Sequence, residues 1–372
     1  MQTRAALAAT FGLPRRLGGQ LLETAGQILF DSVRRHRTFM AVVLGYWAAC
    51  DATGWLTGGS ALIDARPYHF LFDFLVVGLA AAVTLGSVVY AMIFCRSEGS
   101  LGAAIGDVLF RRVLSANRLA TLIVPIVFGP LFFASYSSFK RLIPLVNPYS
   151  WDYDLMTWDA WLHGGSQPWT LIQPVLGTPA ITGLINLFYN FWLVLMLATF
   201  LWQACTLRRQ SLRMQYLLSF LFCWIVIGTV LAALFSSAGP CYYGRITGLD
   251  DPYRPLMAYL RAAADEAPVW ALSTQDMLWA NYVNRGTMLG SGISAMPSMH
   301  LAIATLMALL GWRINRWLGI GYTAFAAIIL VGSVHLAWHY AIDGYVSIVA
   351  AIAVWHATGW AMRRRPGVEA RR

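Results

Sequence analysis

Apolar residues dominate eight stretches of the chain, at about 39–57, 69–95, 119–138, 181–204, 216–236, 298–314, 317–337 and 339–361, with polar and turn-forming segments between them. A helix needs roughly 20 residues to cross the hydrocarbon of a bilayer, and these stretches have about that length. The pattern predicts an all-α fold, a polytopic transmembrane helical bundle of about eight spans. Residues 1–37 are patterned differently. There Leu17, Leu21, Leu22, Ala25, Ile28, Leu29 and Val33 recur at helical spacing among basic residues, which predicts an amphipathic helix lying on a membrane surface. Arg15 and Arg16 interrupt the only apolar stretch near the start, and this argues against a cleaved signal peptide.

Composition supports the same class: 58% of the 372 residues are hydrophobic, 14% aromatic and only 12% charged, too apolar for a soluble domain of this size. The net charge of +10 raises nucleic acid as a partner, and the placement of the charge removes it. If the N-terminus is cytoplasmic, 20 of the 27 basic residues fall in inside segments, leaving Arg66, Lys140, Arg141, Arg245, Arg254, Arg261 and Arg285 for outside loops. By the positive-inside rule both termini are then cytoplasmic. The 26 arginines against one lysine and the frequent alanine suggest a high-GC bacterium, hence a cell inner membrane with the outer loops in the periplasm. Five cysteines, at 50, 95, 205, 223 and 241, show no paired spacing, so neither a disulfide framework nor a zinc site is expected.

The chemistry gathers between Ser294 and Asp343. Ser294-Ala-Met-Pro-Ser-Met-His300 opens one span, and His339-Tyr-Ala-Ile-Asp343 follows after two apolar runs. A helix descending and a helix returning take about 20 residues each, so His300 and His339 reach the same membrane face. Pro297 suits a first helical position, which would leave the N–H groups of Ser298, Met299 and His300 at a helix start, a ready anion site. His339 and Asp343 are four apart and on a helix would share a face; a carboxylate on one ring nitrogen fixes the tautomer and makes the other a better nucleophile or base. An ionisable residue in an apolar run is functional by default. Asp51 and Asp73 fall under the same rule but have no His at turn spacing. No metal-ligand spacing is present, and neither a metal nor a cofactor is expected.

Two outer loops are long. The first, about 139–180, holds Lys140-Arg141-Leu-Ile-Pro144 and Trp151-Asp-Tyr-Asp-Leu-Met-Thr-Trp-Asp-Ala-Trp161. Its aromatics form a stripe suited to a membrane-surface belt, while Asp152, Asp154 and Asp159 serve either within that helix or as ligands for sugar or polyol hydroxyls. The second, about 237–296, begins Ser236-Ser-Ala-Gly-Pro-Cys-Tyr-Tyr-Gly-Arg245 and reads as a lid or headgroup pocket, since long loops beside a site are usually functional.

Pro-Ser-Met-His300 followed by His339-x-x-x-Asp343 on adjacent spans resembles the type 2 phosphatidic acid phosphatase superfamily, and within it the branch that includes inositol phosphorylceramide synthases. The resemblance covers roughly residues 115–361, a six-helix catalytic core. Outside it are the surface helix 1–37, two accessory spans with a cytoplasmic loop over 38–114, and a basic tail over 362–372. It implies His339 as the phosphoryl nucleophile, Asp343 as its partner, His300 as general acid and Ser298 as a phosphate ligand. Two departures stand out: Met299 replaces a glycine of the hydrolase form, and Gly332 and Ser333 stand where that form has Ser-Arg. The missing arginine leaves the phosphate short of a cation, for which Lys140, Arg141 and Arg245, with Tyr242 and Tyr243 beside it, are the candidates. The implied function is a membrane phosphotransferase moving a phospho-headgroup from a lipid donor to a lipid-alcohol or polyol acceptor through a phosphohistidine. The alternative is a phosphatase acting on phosphatidate or a polyprenyl (di)phosphate.

Overall fold

The computed structural model describes residues 15–94, 105, 108 and 115–364, and these residues are mostly helical with no strand among them. Arg4, Arg96, Arg111, Arg112 and the tail beyond Arg364 lie outside the described residues, as do the side chains of Leu17, Leu21 and Leu22. Each of the eight apolar runs is centred on a helix: α1 (Arg15–Leu56), α2 (Arg66–Phe94), α3 (Ala116–Val146), then, after two short helices α4 (Asp152–Leu162) and α5 (Pro168–Leu176), α6 (Pro179–Cys205) and α7 (Gln210–Leu234). The second outer loop folds into α8 (Tyr243–Thr247), α9 (Arg254–Ala264) and α10 (Trp270–Val283), and the chain closes with α11 (Met299–Ile314), α12 (Arg316–His335) and α13 (Ala341–Arg363). Among the described residues six helices are long and apolar enough to cross a membrane, and Val83–Ile93 and Met299–Ile314 are shorter apolar helices.

Although α11 has only 16 residues, it is the centre of the bundle. Leu301, Ala302, Ile303, Ala304, Leu306, Met307 and Leu310 are all buried, covering every face, as an apolar sequence without a polar stripe requires. It packs against α12, α13, α6 and α7. The accessory helices stand outside this group, joined to it chiefly through α3. Within α1 the surface-helix segment and the span form one continuous helix that bends at His36, where φ is −113° and ψ 16°. Arg213 of α7 holds the bend: its buried guanidinium donates to His36 Nε2 (2.7 Å), Gln203 O (2.9 Å) and Thr121 O (2.8 Å), so the charge is met by acceptors on every side, as burial demands. Leu29, Phe30 and Val33, before the bend, are exposed.

Candidate active site

The stretch between α12 and α13 sets the site. After His335 the chain reverses through Ala337, whose φ of +59° lies in the left-handed region. Trp338 and His339 both donate their N–H to Ser333 O, at 2.9 and 3.1 Å. Tyr340 caps α13 and Asp343 is the third helical residue; one oxygen of Asp343 accepts from Tyr340 N (3.1 Å) and from His339 Nδ1 (3.2 Å). The carboxylate can only accept, so the Nδ1 contact is a hydrogen bond when Nδ1 carries the ring proton. The pairing of His339 with Asp343 therefore exists, but not through a shared helix face: the span starts at Ala341, and the two residues meet because one carboxylate both caps the helix and orients the ring. Asp343 is completely buried and its Oδ1 has no partner. His339 lies outside the spans and is 6% exposed; burial pushes its pKa down to about 3, a backbone hydrogen bond to Ala295 opposes the shift, and the charge of Lys140 adds to it.

His300 is the second residue of α11. Its ring lies against Tyr189 (4.5 Å between centroids, 24° between planes) and Trp192 (4.2 Å) of α6, with the His339 ring 6.2 Å away. Pro297 precedes the cap instead of opening the helix, and its peptide bond with Met296 is cis. Ser298 is the cap, and its N–H points to Asp343 O at 3.4 Å. The free donors at this helix start are consequently those of Met299, His300 and Leu301, one residue further along than the sequence suggests. Ser298 Oγ is fully buried without a hydrogen-bond partner.

The three candidate cations separate. Lys140, near the end of α3, makes no hydrogen bond or ion pair among the described residues, yet it is close enough for its charge to act on His339. The outer loop lies over its stem: at Gly292, with φ +98°, an added Cβ would come within 3.0 Å of Lys140 Cγ, so only glycine fits. Arg141, in contrast, donates to Leu62 O (2.8 Å), Ser137 Oγ (3.2 Å), Ser291 Oγ (3.0 Å) and Ser138 Oγ (3.0 Å), and so ties α3 to the segments on either side of it. Arg245 is exposed and sits 5.1 Å over the Trp279 ring. Tyr243 is buried with Leu155, Tyr253, Met296 and Tyr340, behind the histidine loop.

Asp152 and Asp159 have a different place from a sugar-binding surface. Both are 1% exposed. Asp152 accepts from Ala238 N (2.9 Å), Gly239 N (2.8 Å) and Tyr340 Oη (2.8 Å); Asp159 accepts from Ala341 N (2.7 Å) and Ile342 N (2.9 Å). Burial raises the pKa of both carboxyls, against the lowering effect of those N–H donors. Asp343, Asp159 and Asp152 together occupy the start of α13 and fix the loop that bears His339. At Gly239, φ is +100° and an added Cβ would lie 2.8 Å from Trp338 O, so the outer loop also closes on His339's neighbour. The signal for the two acids is in the sequence: positions 152 and 159 are seven apart and share a helix face, while Asp154 is off that face and exposed.

The fold and site define a polytopic all-α protein with membrane-spanning helices, in which two histidines and a buried carboxylate converge at one end of the bundle. A family model described as PAP2 superfamily matches residues 153–357, more than half of the chain, and the chain belongs to that superfamily. Its members are typically phosphatases or phosphotransferases. No curated protein and no solved structure matches the chain. The matched region contains His300, His339 and Asp343 and leaves α3, with Lys140, outside. Among the described residues no group of three or more His, Cys, Asp or Glu is arranged to hold a metal ion.

Proposed function

We propose that the chain is a membrane phosphotransferase that moves a phospho-headgroup from a lipid donor to a hydroxyl acceptor through a phosphohistidine at His339. The observation that carries the reading is the His339–Asp343 pair (3.2 Å) facing His300, with ring centroids 6.2 Å apart. A nucleophile reaches phosphorus from about 3–3.5 Å and an acid reaches the leaving oxygen from about 3 Å, so one phosphoryl group can be served by both rings. His339 Nε2 attacks phosphorus, the bond to the lipid oxygen breaks, and protonated His300 gives its proton to that oxygen. Asp343 stabilises the positive charge that develops on the His339 ring. In the second half neutral His300 takes the proton of the acceptor hydroxyl, whose oxygen attacks phosphorus and frees His339. Lys140, the unpaired N–H groups at the start of α11 and the unpartnered Ser298 Oγ are suited to hold the phosphoryl oxygens.

The reading extends to orientation. Arg118, Arg208, Arg209, Arg213, Arg313, Arg316 and Arg363 lie near helix ends opposite the histidines, and Arg209 joins two of these ends by donating to Arg313 O at 2.7 Å. Under the positive-inside rule that end is cytoplasmic and the site faces outward, across a cell inner membrane. Phosphorus NMR on the full chain in detergent micelles, supplied with a panel of phospholipids and a lipid-alcohol extract, tests the reaction. New phosphodiester that needs both the extract and His339 is expected. Inorganic phosphate alone would make the protein a phosphatase, and full turnover by the His339→Ala variant would end the scheme.

A further inference from the structure

Behind the histidine loop the second outer loop encloses a cavity of about 470 Å³. Its wall is tied to that loop at two points: Cys241 N donates to Ala337 O (3.0 Å) and Gln275 Nε2 donates to Leu336 O (3.0 Å). Three arginines line it, Arg245, Arg254 and Arg261, all of them exposed. Arg254 and Arg261 are two helical turns apart on α9, and Met257 and Ala258 between them line the same cavity, so a whole stripe of that helix is turned toward it. Among the described residues none of the three guanidinium groups has a hydrogen bond or an ion pair. This holds although Asp251 and Asp276 line the same cavity, where neutralising pairs could have formed.

A second observation comes from Gln275. It is 2% exposed and lines the cavity, and with its Nε2 held by Leu336 its Oε1 is buried without a partner. A buried orphan acceptor is costly unless a donor meets it. The cavity lining thus combines arginines, whose guanidinium forks match phosphate oxygens, with the carboxylates of Asp251 and Asp276, which match hydroxyl groups, while Gln275 Oε1 lies beneath its surface.

We infer that this cavity binds a phosphorylated polyol. The inference rests on the headgroup-transfer reading above for its place in the reaction, but not for the binding itself. The same chemistry is offered by a phosphorylated headgroup on a lipid and by a free polyol phosphate.

The test is a binding measurement without turnover, on the full chain in detergent micelles. Dioctanoyl phosphatidylinositol, dioctanoyl phosphatidylinositol phosphate and free inositol bisphosphate are titrated onto the wild type, the His339→Ala variant and an Arg254→Gln/Arg261→Gln variant. Wild type and His339→Ala are expected to prefer the phosphorylated lipid by about tenfold, the worth of one charge-assisted contact. The double arginine variant is expected to lose that preference while still binding phosphatidylinositol, which also reports that it is folded. Free inositol bisphosphate binding as tightly as the phosphorylated lipid makes the occupant a soluble anion; weaker binding makes it a lipid headgroup. Equal binding of the two lipids by wild type, or a preference that survives the arginine substitutions, overturns the inference. Failure of His339 chemistry in the NMR experiment would leave this preference standing, so the two readings fail separately.

Discussion

A single oxygen of Asp343 accepts from both Tyr340 N and His339 Nδ1, so the residue that starts α13 also orients the His339 ring. The types and the spacing of these residues are legible in the sequence, but their manner of contact is not. Four-residue spacing suggests a shared helix face, whereas the helix begins only at Ala341 because the chain must first reverse through Ala337. Burial also fixes the charge of His339. Its pKa of about 3 lies below the ordinary 6.5, so between those values the unfolded chain holds a proton that the folded chain does not. Stability then falls as pH drops from 6.5 toward 3, and above that window His339 has no effect. Thermal unfolding at about pH 7.5 and about pH 5 should therefore lower the melting temperature more in the wild type than in His339→Gln; an equal drop in both would mean that His339 is not buried in its neutral form.

Among the elements, α4 is the one whose acid face is legible in the sequence but whose partners are not. Its tryptophans suggest a membrane belt, and Trp158 and Trp161 are exposed, at 41% and 77%. The opposite face carries two acids and is buried against backbone N–H groups. An acid stripe with no basic partner nearby in sequence reads as a hydroxyl-binding surface, because the donors it satisfies belong to segments nearly 90 and more than 180 residues away. Asp159→Ala would leave two N–H groups at the start of α13 without an acceptor, and should destabilise the protein by about 2 kcal/mol. It should also lower kcat with little change in KM, and Asp159→Asn, which keeps one acceptor oxygen, should restore part of the rate. A raised KM for the acceptor with kcat intact in both variants would return Asp159 to the sugar-binding role.

At the scale of the whole molecule the eight apolar runs and their helices agree to within a few residues over most of the chain, because hydrocarbon accepts only backbone that bonds to itself. Hydropathy alone could not tell which run is central, and α11, the shortest, is enclosed on all sides. Nor could it assign Lys140 and Arg141, adjacent in sequence, to different tasks: successive helical positions face different neighbours, and Arg141 meets the loops while Lys140 remains unpaired. The charge distribution predicts that an Asp154→Cys variant, in a background without native cysteines, is labelled by a membrane-impermeant maleimide from outside the cell. Arg208→Cys should be labelled only after permeabilisation, and the opposite pattern would invert the molecule. Passage of phosphorus through His339 is tested by rapid quenching of the full chain during turnover of phosphorus-labelled phospholipid, followed by peptide mapping. An acid-labile, base-stable label is expected on the peptide containing His339, absent from His339→Ala. Steady turnover with no label on that peptide, or with label on another residue, would contradict it.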